Sequence, residues 1–171
     1  MSAIFEGNAA WVFPDDFDVD LIIGMQNTRE RDISKLVPIA MNMYEEGFAD
    51  KVSKGDILVA GRNFGYGHAH PQCMETIRQI GINTIVAESF APGFYRSEVG
   101  NGMALLFVPG ISKKVSRGDR LRVEYDSGAV LNLTTGETIQ GNRPGEVILD
   151  LYRNGGSNGF LKEKLADPAF K

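Results

Sequence analysis

Two short apolar runs, Ile57-Leu58-Val59-Ala60 and Asn83 to Ala87, are separated by a segment that opens on Pro71 and closes on Gly81. Such runs read as buried strands, and the segment between them reads as a helix. Its apolar residues Cys73, Met74, Ile77 and Ile80 share one helical face. Pro71 suits a first helical position, where its missing N–H costs nothing, and Gly81 supplies the stop. A second helix over Pro92 to Val99 and a strand over Met103 to Val108 continue the pattern. A β-α-β-α-β alternation of this kind folds into a parallel or mixed sheet with helices packed on it.

The flanking segments add to that unit. Asn8 to Phe13 reads as a strand and Pro14 to Asp16 as a turn. From Phe17 to Ile23 two aspartates alternate with apolar residues, which predicts a strand or extended loop with Asp18 and Asp20 on its polar face and Gly24 at its end. Met25 to Asp32 reads as a loop, and Ile33 to Glu46 as a helix interrupted at Pro38 and closed by Gly47. Arg120 to Asp126 and Ala129 to Thr134, joined at Ser127-Gly128, predict a hairpin, with Glu137 to Gln140 as a third strand. A last helix spans Pro144 to Arg153, before Gly155-Gly156. The expected fold class is α/β: a mixed sheet with flanking helices and an additional β-hairpin region, in a single domain over residues 1–171.

Composition narrows the function. A net charge of −4 without a Lys/Arg stripe argues against nucleic acid as a partner. No apolar stretch approaches the ~20 residues of a membrane span, and the amino terminus lacks a signal-peptide pattern, so neither a membrane nor export is expected. One cysteine, Cys73, excludes an internal disulfide framework and suits a reducing, cytoplasmic setting. On the apolar helix face it reads as core.

Chemistry concentrates after the first buried strand. Gly65 and Gly67 allow a sharp turn or a close backbone approach to a ligand, and His68 and His70, the two histidines of the chain, follow at once. Bare spacing leaves three uses for them: a catalytic pair, a solvated loop pair, or two ligands of a metal site for which no third donor is evident nearby.

The Asp18-Val19-Asp20-Leu21-Ile22-Ile23 segment, the stretch GDILVAGRNFGYG, the later IVAESFAPGFYRSEVGNG and the terminal GG-x3-FL pattern occur in an order and spacing that resembles the small subunit of 3-isopropylmalate dehydratase. That family corresponds to the swivelling domain of the aconitase superfamily, and the similarity covers nearly the whole chain. The resemblance implies a swivelling β/β/α domain that caps a separate large catalytic subunit. The cofactor it implies is a 4Fe-4S cluster carried by that partner, with none bound by this chain. The implied reaction is the reversible dehydration of a hydroxy di- or tricarboxylic acid, in leucine biosynthesis by default.

The Gly-rich turn departs from the family. There the pattern is Gly-Cys-Gly-Ser-Ser-Arg-Glu-His, with the first serine as base and the arginine as carboxylate clamp. Here Gly65, Tyr66, Gly67, His68, Ala69, His70, Pro71 and Gln72 occupy those places. His68 stands at the serine and becomes the candidate catalytic base, since a neutral imidazole accepts a proton near pH 7. His70 stands at the arginine and, with the backbone of Gly65, Gly67 and Ala69, is the candidate binder of the small carboxylic acid substrate. Asp20 joins that substrate-binding set because the matching family position lies at the active site. No metal-ligating residue is assigned. Asn63 is expected to fix the turn through backbone hydrogen bonds, Arg96 to anchor its helix by a salt bridge, and Tyr66 to line the cleft or pack. The loop over 25–31, matched to the family's substrate-selecting loop, is shortened and differs in sequence. A dehydratase for another substituted malate, and a non-catalytic binding module that has lost the serine and arginine, are the alternatives.

Overall fold

A computed structural model describes residues 3–166 and holds one seven-stranded sheet, ordered β4-β3-β2-β1-β5-β6-β7. The strands are β1 (Ile4–Phe13), β2 (Ile57–Ala60), β3 (Thr84–Ala87), β4 (Ala104–Phe107), β5 (Arg120–Glu124), β6 (Ala129–Asn132) and β7 (Thr138–Gln140). The helices are α1 (Ile33–Leu36), α2 (Phe48–Lys51), α3 (Pro71–Gln79), α4 (Pro92–Gly100), α5 (Glu146–Arg153) and α6 (Ser157–Ala166).

Strand β1 is the seam of the sheet. Its first half, Ile4 to Asn8, pairs antiparallel with β5, and its second half, Ala9 to Phe13, pairs parallel with β2. The pairing with β2 shifts between Ala9 and Trp11, an irregularity of the kind that bends a strand. β2, β3 and β4 are parallel neighbours, whereas β5, β6 and β7 form an antiparallel meander. The mixed sheet with flanking helices and added hairpin is thus the observed fold.

Because strand side chains alternate between faces, each parallel strand feeds two cores. Leu58, Ala60, Ile85, Ala87 and Leu105 pack with Cys73, Met74 and Ile77 of α3 on one face. Ile57, Val59, Val86 and Leu106 join Leu121, Val123 and Val130 on the other. Buried on both faces, β2 and β3 are apolar throughout, which is why short runs sufficed to mark them.

Two expected elements differ. Phe17 to Ile23 is not a strand: Val19–Ile22 is a 3-10 helix, begun where the Asp18 carboxylate accepts the Asp20 N–H. Asp20 consequently turns inward and is 2% exposed instead of sharing an outer face with Asp18. The helix expected over 33–46 lasts only through α1 and a 3-10 turn at Val37–Ile39, after which Met41 takes a left-handed φ of 60°. Helix α6 was not anticipated.

Candidate active site

The carboxyl ends of β2 and β3 run into neighbouring loops that each deliver a helix start. Phe64, fully buried, anchors the first loop: it stacks on Phe17 and meets Phe94 edge-on at 5.4 Å. The Phe64 N–H donates to the Ser89 carbonyl and the Ala91 N–H donates to the Phe64 carbonyl, so the two loops are tied together. The next residues need glycine. At Gly65 (φ 85°) a Cβ would lie 2.2 Å from Phe94 Cγ, and at Gly67 (φ 89°) 2.8 Å from Asp18 Oδ2. Asn63 steadies this corner twice: its backbone N–H donates to Ser89 Oγ at 2.8 Å, and its side chain donates to the Asp16 carboxylate at 2.7 Å.

Below the turn sits Asp20. Its Oδ1 accepts the His70 backbone N–H at 2.9 Å and the Cys73 thiol at 3.1 Å. Its Oδ2 lies 2.7 Å from His70 Nδ1. Burial works to raise the pKa of this carboxyl, but the bonds from the His70 amide, the Cys73 thiol and the His70 ring outweigh it and hold the pKa below the ordinary carboxylate value. A carboxylate only accepts, so Nδ1 is the nitrogen that donates in this contact, and in the neutral ring the lone pair lies on Nε2. Burial, and then the neighbouring Asp20, push the Cys73 thiol pKa well above its usual range, so this sulfur is an inert donor within the core.

A cavity of about 220 Å³ opens above this arrangement. Gly65, Gly67, His68, Ala69 and His70 form one wall, so five of the six residues singled out from sequence come together there. The sixth, Asp20, stands behind His70 and is not among the lining residues. His68 is exposed, and its ring meets the His70 ring edge-on at 5.5 Å. Among the described residues it has no hydrogen-bond partner.

The opposite wall, from α4, was missed: Gly93, Ser97 and Glu98 face the cavity. Gly93 and Ser97, four residues apart on a predicted helix, share a face, and that spacing was the available signal. Glu98 is buried and paired with Arg78 at 2.5 Å. Neither α3 nor α4 has a side-chain cap, and both starts face the cavity, an environment that suits anionic groups. Tyr66 is 55% exposed and outside the lining. Arg96 is exposed and makes no salt bridge among the described residues, contrary to its expected anchoring role.

Residues 22–109 match the family model for the aconitase C-terminal domain. The isopropylmalate/citramalate isomerase small subunit of Methanocaldococcus jannaschii is 35% identical, over 98% of this chain and 99% of its own length. The 3-isopropylmalate dehydratase small subunit of Pyrobaculum calidifontis is 39% identical, over 91% of this chain and 96% of its own. A crystal structure of 3-isopropylmalate dehydratase from Methanocaldococcus jannaschii superposes with a TM-score of 0.85 at 30% identity, covering 95% of this chain and 96% of that one. The chain belongs to the 3-isopropylmalate dehydratase small-subunit family.

Within this small-subunit family, the donor set of the present chain does not suit it to hold an iron–sulfur cluster. Its single thiol is buried and bonded to Asp20. Among the described residues, no group of three His, Cys, Asp or Glu side chains comes together to hold a metal ion. What the chain offers the cavity is imidazole, hydroxyl, backbone amide and the Arg78-paired carboxylate of Glu98.

Proposed function

We propose that this chain is the small subunit of a heteromeric hydro-lyase that reversibly dehydrates a hydroxy dicarboxylic acid, 3-isopropylmalate or another substituted malate, in leucine biosynthesis. The partner is a large catalytic subunit, and the setting is cytoplasmic and reducing. The cluster proposed for that partner would supply Lewis acidity toward the leaving hydroxyl. The present residues supply the opposite side of the reaction. Backbone amides around Gly67 to Ala69, with Gly65 shaping the turn, receive carboxylate oxygens, and the two imidazoles, His68 and His70, divide between them carboxylate binding and transfer of the carbon-bound proton.

The observation that carries this reading is the open cavity, in which two imidazoles and two uncapped helix starts converge. The test is anaerobic reconstitution with the cognate large subunit, iron and sulfide, followed by a screen of 3-isopropylmalate, citramalate and other substituted malates for the absorbance of the unsaturated product. Turnover of at least one substituted malate is expected. An assembled, cluster-loaded complex that turns over none of them would overturn the enzyme reading in favour of the binding module.

A further inference from the structure

We propose that the base of this site is His70, with Asp20 as its positioning residue, and that His68 holds a substrate carboxylate; this assignment rests on the hydro-lyase reading above. It exchanges the roles that the alignment of the turn suggests, because position along the turn and geometry disagree. A base is recognised by a group that orients it, and only one of the two rings has such a group.

His70 is fixed twice by one carboxylate. Its backbone N–H and its Nδ1 bond to the two oxygens of Asp20, so main chain and ring are set together. Asp20 is itself held by the Cys73 thiol and by its own N–H bonded back to Asp18, and is 2% exposed, so water does not compete for it. The His70 side chain keeps 37% of its surface exposed and lines the cavity, which leaves Nε2 as the nitrogen that faces a reacting group. Other titratable neighbours do not disturb this division: Cys73 donates to Asp20, Glu98 across the cavity is paired with Arg78, and His68 contacts only the ring edge.

In the forward step the Nε2 lone pair takes the proton from the carbon next to a carboxylate. The C–H electron pair becomes the new C=C bond, and the hydroxyl on the adjacent carbon departs with its bonding pair, combining with a proton from an acid of the partner subunit to leave as water. The imidazolium formed on His70 is stabilised by Asp20, as in other His–carboxylate pairs. His68, exposed and without an orienting hydrogen-bond partner among the described residues, offers an N–H to a carboxylate instead.

Two measurements test this separately. Nitrogen-15 spectra of the isolated, histidine-labelled chain should show His70 as the Nδ1–H tautomer with a slowly exchanging ring proton. Asp20→Asn, whose amide can donate to Nδ1, should shift the population toward Nε2–H. A wild-type His70 that averages between tautomers as an exposed ring does would overturn the proposal without reference to any turnover. In the reconstituted complex, His70→Gln should lower kcat by about 10²–10⁴-fold with KM little changed. His68→Gln should act mainly on KM. Asp20→Asn should lower kcat by a similar factor, partly recovered in Asp20→Glu. A His70→Gln complex that retains kcat while His68→Gln abolishes it would overturn the assignment. Absence of turnover in the wild-type complex would instead count against the hydro-lyase reading itself, which the spectra do not depend on.

Discussion

Single residues around the turn decide whether a cavity exists at all. Gly65 has a left-handed φ and lies against the Phe94 ring, so Gly65→Ala would combine backbone strain with overpacking. A loss of about 2–4 kcal/mol is expected in urea unfolding. Gly93 makes the converse case: a Cβ there meets nothing within 4 Å, because it would project into open space at the cavity wall. Gly93→Ala should therefore leave stability unchanged or raise it by up to about 1 kcal/mol, while raising KM in the reconstituted complex. Asp20 carries the acid sensitivity of the site. Its folded pKa lies below its unfolded value of about 3.9, so its bonds contribute stability that is complete above that value and lost as pH falls through the folded one. Denaturation of wild type and Asp20→Asn at a series of pH values should show a gap at pH 6 that narrows below pH ~4. A gap independent of pH would mean that the amide costs only packing.

Among the elements, those with one strong signal were legible from sequence. β2, β3, α3 and α4 lie within a residue or two of their expected bounds, because apolar runs, Pro at the helix start and Gly at the stop agree there. The segment before them was not. Alternation over Phe17 to Ile23 predicts a strand or extended loop with both aspartates on one face, yet a local side-chain bond from Asp18 starts a 3-10 turn and rotates Asp20 into the interior. That rotation creates the contact with His70, so the feature that organises the site was invisible to period counting. The helix expected over 33–46 fails for a related reason, since Pro38 and the left-handed Met41 break its ladder. Helix α5 shows what a correctly read element contributes. Leu149, 1% exposed, fixes it to the second core, whereas Val147 is 62% exposed on its outer side. Leu149→Ala should cost about 2–5 kcal/mol in chemical denaturation and Val147→Ala less than about 0.5 kcal/mol. Equal losses would mean that α5 docks through a different face.

On the scale of the whole molecule, the sheet divides labour at β1. The parallel half ends in loops that make the cavity, and the antiparallel half extends the second core away from it. Under the proposed function, a chain built this way would present proton-handling groups on one side and leave the leaving-group side to the partner's surface. Closing that surface would exclude water and strengthen each polar contact inside. The division also predicts where metal dependence resides. A ligand that binds only the folded state raises the melting temperature by mass action. With its thiol buried and no three-residue donor set among the described residues, the isolated chain offers ferrous iron little to bind. Thermal melts of the isolated chain with added ferrous iron, or with chelator, should therefore coincide with the untreated melt. The reconstituted complex should lose activity on chelation while the small subunit, separated afterwards, melts as before. A rise in the melting temperature of the isolated chain with iron would move the metal to this subunit and remove the reason for assigning its own residues to acid binding and proton transfer alone.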